Sequence, residues 1–287
     1  VLGRRAGVTL PARARDARRV GGGDINQAWH VLLDGREAFV KTRPDAGPGE
    51  YALEAAGLRW LAEPGALRVP GVIEVAEDCL ALEWVEPGRL SGEGAEELGR
   101  GLAATHAAGS PGFGDPGFGE LLGVEARIGS LRLPNEPAEN WPTFYAQRRL
   151  RPLARIAGER GSLSARGVAA VERVCERLDE LSGPAEPPAR LHGDLWGGNV
   201  HADAQGRPWL IDPSAYGGHR EVDLAMLRLF GAPSERVFAA YQEVAPLADG
   251  WRERVSLWQL LPLLVHAALF GGSYVEAAER VALRYGG

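Results

Sequence analysis

Residues 191–213 constrain the fold more than any other stretch: LHGDLWGGNV, a polar hairpin-like run, then LIDP. Asp194 and Asn199 stand five apart, and the glycines between them free the backbone so that both side chains can project to one side. Asp212 follows Asn199 by thirteen residues. A hairpin around Ala204-Gln205-Gly206-Arg207 and a short apolar strand lead to it, so the predicted hairpin returns Asp212 beside Asn199. Two oxygen ligands converging in this way suit Mg²⁺, which keeps waters and shares a substrate's phosphate oxygens. Asp194 is then left to orient or deprotonate a hydroxyl.

An Asp-x4-Asn loop followed by a strand-borne Asp matches the pattern of kinase-type phosphoryl transfer; His192-Gly193-Asp194 alone would say little. A second feature points the same way. Of the 32 basic residues, 31 are Arg and one, Lys41, is Lys. Where arginine has replaced lysine everywhere else, the survivor marks a place for a compact ammonium, such as a point charge beside phosphates. The remaining composition works mainly by exclusion. With 38 acidic residues the net charge is −6, which argues against a nucleic-acid binder. The longest apolar run, 260–270, is interrupted by Pro262 and His266 and is too short to span a membrane. The first residues lack the apolar core of an export signal. Cys79 and Cys175 match no metal or redox spacing and read as core residues of a cytoplasmic protein.

The chain changes character near Glu86-Pro87-Gly88, which reads as a linker between lobes 1–86 and 87–287. Before it, alternation predicts strands around Trp29–Leu33 and over 37–42, joined by an Asp34-Gly35 turn, with Phe39 and Lys41 on one face and Ala38 and Val40 on the other. Tyr51, Ala55, Leu58 and Ala62 predict a helix over 50–62, and two strands follow near 72–76 and 80–85. After the linker, helices are expected at 94–108, 142–157, 165–182, 234–245 and 251–270. Asp115, Asp203, Arg148, Arg149 and Arg151 read as ordinary solvated charge. The fold class is α+β: a two-lobed, protein-kinase-like chain with a small β-rich lobe and a larger helical one.

The stretches GGGDINQAW (21–29), FVK (39–41), YALEAAGLRWL (51–61), NWPTFYAQRRLRP (140–152), LHGDLWGGNV (191–200), IDPSAYGGHREVDLAM (211–226) and LLVHAALFGGSY (264–274) resemble, in order, the fructosamine kinase (ketosamine-3-kinase) family. That family is a branch of the aminoglycoside-phosphotransferase-like kinases. The resemblance implies ATP- and Mg²⁺-dependent phosphorylation of a sugar hydroxyl on a ketosamine. Carried over where residues match, it makes Lys41 the lysine that holds ATP phosphates and Glu54 its helix partner, with Glu50 as a competing partner. It gives Gly22 and Gly23 to a nucleotide-binding loop, although no Walker A motif and no complete G-x-G-x-x-G is present. Glu83 and Val85 stand where a hinge backbone would meet adenine. Asp194 is the catalytic base, Asn199 and Asp212 the metal ligands, and Trp196 and His266 candidates for the sugar side. His192 and Asp223 read as supports of the catalytic loop. The rivals are an aminoglycoside, choline, homoserine or other hydroxyl acceptor on the same fold, or a kinase-like scaffold without turnover; the oligomeric state stays open.

Overall fold

The computed structural model describes residues 10–21, 26–119, 123, 125–231 and 233–287. Gly22 and Gly23 therefore lie outside the described residues. Five antiparallel strands open the chain: β1 (Ala14–Val20), β2 (Gln27–Leu33), β3 (Arg36–Thr42), β4 (Val72–Val75) and β5 (Cys79–Glu83), in the order β1-β2-β3-β5-β4. Helix α1 (Glu50–Ala62) crosses between β3 and β4. Asp34 and Gly35 both adopt positive φ, as a two-residue hairpin turn matched to strand twist requires. The period-two pattern then sorts the sheet. Val31, Leu33, Ala38, Val40, Cys79 and Ala81 pack on one face, while Phe39, Leu80 and Leu82 meet Tyr51, Ala55 and Leu58 of α1 on the other. Lys41 shares the face of Phe39 and so turns toward α1. A slip of one residue in the β2–β3 register would turn it away.

The Glu86-Pro87-Gly88 connection is docked and not loose. Pro87 bridges to Asp203, and Gly88 N–H donates to Ala202 O at 2.7 Å. A Cβ on Gly88 would fall 2.0 Å from Asp203 O, so the close approach demands glycine. Beyond it come α2 (Gly92–Ala107), capped by Ser91 Oγ, the hairpin β6 (Glu125–Ile128) and β7 (Leu131–Pro134), and α3 (Trp141–Tyr145), which runs through a π turn at Ala146–Leu150 into α4 (Arg151–Glu159). Helices α5 (Ala165–Glu176) and α6 (Leu178–Leu181) replace the single helix expected there, because the backbone leaves helical geometry at Arg177. Strand β8 (Ala189–Leu191) pairs with β11 (Tyr216–Gly218), and β9 (Val200–Ala202) with β10 (Pro208–Leu210). Helices α7 (Glu221–Leu229), α8 (Glu235–Val244), α9 (Trp251–Phe270) and α10 (Ser273–Gly286) complete the larger core. Pro262 sits inside α9 and has no N–H for the carbonyl of Trp258; Tyr145 Oη donates to that carbonyl instead, at 3.2 Å.

Two charged positions expected to be solvated, Arg149 and Asp203, are buried, and a third, Asp115, is tied to backbone groups. Arg149 is fully buried in the π turn, donates to Pro134 O, Arg148 O and Asn135 Oδ1 at 2.7–2.9 Å, and lies over the rings of Phe144 and Tyr216. Asp203 is buried and accepts from Gln205 N, Arg207 N and Trp209 Nε1, so it organises the β9–β10 turn. Asp115 accepts from the backbone N–H groups of Gly117, Phe118 and Gly119. Both cysteines are free and buried, and burial pushes the Cys79 thiol up to about 11 and that of Cys175 to about 12, so neither is a thiolate at neutral pH. No helix among the described residues is long and apolar enough to cross a membrane.

Candidate active site

A cleft of about 250 Å³ lies between the sheet with α1 and the loops of the larger lobe. Lys41, Glu54, Asp194, Trp196, Asn199 and Asp212 all line it. Six of the residues singled out in the sequence thus meet in one place, drawn from a strand, a helix, a loop and a hairpin end.

Lys41 comes from β3, with 3% of its surface exposed. Its Nζ lies 2.7 Å from Glu54 Oε1 and 2.7 Å from Asp212 Oδ1. Burial alone would favour the neutral amine, but the charges of Asp212 and Glu54 outweigh it and raise the pKa, so the lysine stays an ammonium. Burial lifts the Glu54 carboxyl above its ordinary value, with Lys41 opposing. The competing partner, Glu50, does not reach Lys41; it binds Arg43 at 2.7 Å and Arg127 at 2.8 Å.

The catalytic-type loop is built mostly from hydrogen bonds to its own backbone. Asp223 on α7 is fully buried and accepts from His192 N–H at 2.7 Å and Gly193 N–H at 3.0 Å; His106 stands 3.3 Å away. His192 Nε2–H donates to Ile211 O at 2.9 Å, and its Nδ1 accepts from Asp194 N–H at 3.3 Å. Burial holds the pKa of His192 below its ordinary value, which suits this neutral tautomer. Gly193 has φ 80°, and a Cβ there would sit 2.0 Å from Ser214 O, so no other residue allows this turn.

Asn199 Nδ2 donates to Asp194 O at 2.8 Å and Asp194 Oδ2 at 3.1 Å. With the amide oriented by these bonds, Asn199 Oδ1 accepts no hydrogen bond among the described residues. Asp212 is one of three non-glycine residues there with positive φ, at 55°, a strained position for a side chain at the rim of a site. Its carboxylate is half exposed to the cleft. Burial pushes the Asp194 carboxyl up to about 6, with the Asn199 bond opposing and the charges of Asp212 and Asp223 adding to the rise.

A divalent cation fits this donor set. Lys41 contacts the carboxylates of Glu54 and Asp212, the Asp194 carboxylate lines the same cleft, and Asn199 Oδ1 and the half-exposed Asp212 carboxylate are hard oxygen ligands. No group of three or more His, Cys, Asp or Glu among the described residues forms a closed metal cage. An ion held by two protein oxygens and completed by phosphates and water is the arrangement Mg²⁺ accepts.

Other predicted positions do not join the cleft. Glu83 spends its carboxylate on Gly71 N–H at 3.1 Å, and Val85 O accepts from His201 Nε2 at 3.2 Å, fastening the end of β5 to β9. His266 donates from Nδ1 to Pro262 O and packs among Phe230, Phe270 and Tyr274. It connects to the cleft through Phe230, whose ring meets Trp196 edge-on. Trp196 is 40% exposed and its indole lies across Gly198, where a Cβ would clash at 2.2 Å. Arg127 and Ser214 also line the cleft and were missed in the sequence. The alternation of Ala126, Ile128, Leu131 and Leu133 around Gly129-Ser130 was the available signal for the hairpin that carries Arg127.

A fructosamine kinase family model matches residues 6–285. The chain is 39% identical over 260 residues to a probable ketoamine kinase of Thermus thermophilus, covering 90% of each. It is 34% identical to a chloroplastic protein-ribulosamine 3-kinase of Arabidopsis thaliana, covering 91% of this chain and 80% of that one. A crystal structure of a putative fructosamine-3-kinase from Thermobifida fusca superposes with a TM-score of 0.85 at 44% identity, covering 94% of each chain. A choline kinase of Streptococcus pneumoniae shares the fold alone, with a TM-score of 0.62 at 15% identity and coverage of 96% and 94%.

Proposed function

The chain belongs to the fructosamine kinase family, and from that premise we propose that it transfers a phosphoryl group from ATP to a sugar hydroxyl of a ketosamine. The observation that carries this reading is the meeting of Lys41, Asp194, Asn199 and Asp212 in one cleft. Transfer of this kind depends mainly on positioning and electrostatics. Lys41, held by Glu54, presents a fixed positive charge for phosphate oxygens. Asn199 and Asp212 would hold Mg²⁺, which when bound neutralises phosphate charge. Asp194 takes the proton of the acceptor hydroxyl on its carboxylate, while Asn199 Nδ2 holds that carboxylate in place. His192 and Asp223 keep the loop in shape without touching substrate. Trp196 offers an exposed ring beside Asp194, suited to the face of a sugar.

The test is an ATP-consumption screen of fructosyl-, ribulosyl- and erythrulosyl-amines beside aminoglycosides and choline. Turnover of a ketosamine, with none of the others, is expected. Turnover confined to choline or an aminoglycoside would overturn the acceptor assignment. Absence of any melting-temperature rise with saturating Mg²⁺·ATP would favour a scaffold, because a ligand of the folded state must stabilise it.

A further inference from the structure

Glu50 and Glu54 stand one helical turn apart on the face of α1 that meets the cleft. Glu50 accepts from Arg43 Nη2 at 2.7 Å, from Gly47 N–H at 3.1 Å and from Arg127 Nη1 at 2.8 Å. Arg43 follows β3 in the small lobe, so it ties Glu50 only to its own neighbourhood. Arg127 reaches across from β6. Its backbone carbonyl accepts from Ser214 Oγ at 2.6 Å, two residues beyond Asp212. One residue therefore holds both partners of Lys41: by its side chain the helix bearing Glu54, by its backbone the segment bearing Asp212. The fit is tight, since a Cβ on Gly47 would lie 2.3 Å from Arg127 Nη2. The far end of α1 is held from the larger lobe as well, by Arg190, which pairs with Glu63 at 2.9 Å and lies over the Trp60 ring.

In the free chain Lys41 divides itself between Glu54 and Asp212. If Asp212 serves the metal, that contact must open, and the lysine is then steered by Glu54 alone. Where Glu54 stands depends on the seating of α1. We propose that Arg127 is a positioning residue: through Glu50 it seats α1 so that Glu54 keeps Lys41 aligned once nucleotide has drawn Asp212 away. This rests on the reading of the cleft as a Mg²⁺·ATP site. Arg127 lines the same cleft, but its guanidinium is already committed to Glu50 and packed against Gly47, which favours an indirect role over direct contact with phosphate.

A double-mutant cycle tests it, with Mg²⁺·ATP affinity measured by titration calorimetry and no acceptor present. Arg127→Gln should weaken binding about tenfold in the wild-type background and less than about twofold in a Glu54→Gln background, because coupled residues do not add. Glu50→Gln should reproduce the loss, and Arg127→Lys should restore part of it with an unchanged circular dichroism spectrum. In steady-state assays the KM for ATP should rise while that for the acceptor holds, whereas simple loss of folded protein would lower kcat alone. Equal losses in both backgrounds, or no loss in the wild-type background, would overturn the proposal. If the wild-type chain binds no Mg²⁺·ATP, the reading of the cleft fails first, and that outcome is separately visible.

Discussion

Lys41 and Asp194 face the same cleft but are held in different ways. Lys41 is fixed by two ion pairs, one of which crosses the cleft to Asp212. Asp194 sits on a loop fixed from within its own lobe by Asp223, His192 and Asn199, largely through backbone groups. An ion pair in a half-open cleft can be exchanged for another partner, whereas breaking buried hydrogen bonds to a carboxylate leaves groups without partners. On the proposed reading, the phosphate side rearranges when nucleotide enters, whereas the acceptor side is built in advance.

The largest effect should come from damaging the preformed side. Asp194→Asn retains size and some hydrogen bonding but loses the charge. Its kcat should fall by about 10²–10⁴-fold, roughly 3–5 kcal/mol of barrier, with little change in the dissociation constant for Mg²⁺·ATP. If nucleotide binding weakens while turnover survives, the division between the two sides is wrong.

Lys41→Arg should follow, with a loss of about 100-fold in kcat/KM for ATP. The ammonium occupies a buried slot 2.7 Å from each of two carboxylates, and a wider, forked guanidinium cannot sit there without displacing them. Activity near that of the wild type would mean that the single lysine survived by chance.

The smallest effect is a matter of pH. Asp194 must be ionised to accept a proton, and its carboxyl is raised to about 6. Turnover should be level above that value and fall about tenfold per unit below it. In Asp194→Asn that step should vanish. A profile unchanged by the substitution would assign the ionisation elsewhere.

Much of this contrast could be read from the sequence because its parts are local. Asp194, Asn199 and Asp212 lie within 19 residues, and the loop and hairpin between them carry their own glycine and turn signals. Lys41 stood out as the only lysine, and the alternation along β3 placed it on the face of Phe39, which the structure covers with α1. Helices α1 and α9 have the bounds that their periodicity predicts. Helix α10, with 14 residues, escaped although its length sufficed; the rest of what escaped was non-local or too short. The Glu50–Arg127 pair spans 77 residues and exists only once β6 docks on α1. The hairpin carrying it has strands of four residues, and helix α7 has nine, below the length at which periodicity separates from chance. Arg149 and Asp203 were misread for another reason. Their charge is satisfied by backbone groups and aromatic faces, and no hydropathy pattern reports that.

On the proposed reading, nucleotide exchanges the Lys41–Asp212 contact for phosphate contacts. The chain's single lysine makes that directly visible: selective ¹⁵Nζ labelling of lysine should give one side-chain ammonium resonance. On titration with Mg²⁺·ATP that resonance should move and saturate with the calorimetric dissociation constant, and the movement should persist in Asp194→Asn. A resonance that stays in place while the nucleotide is bound would show that Lys41 keeps its contact with Asp212.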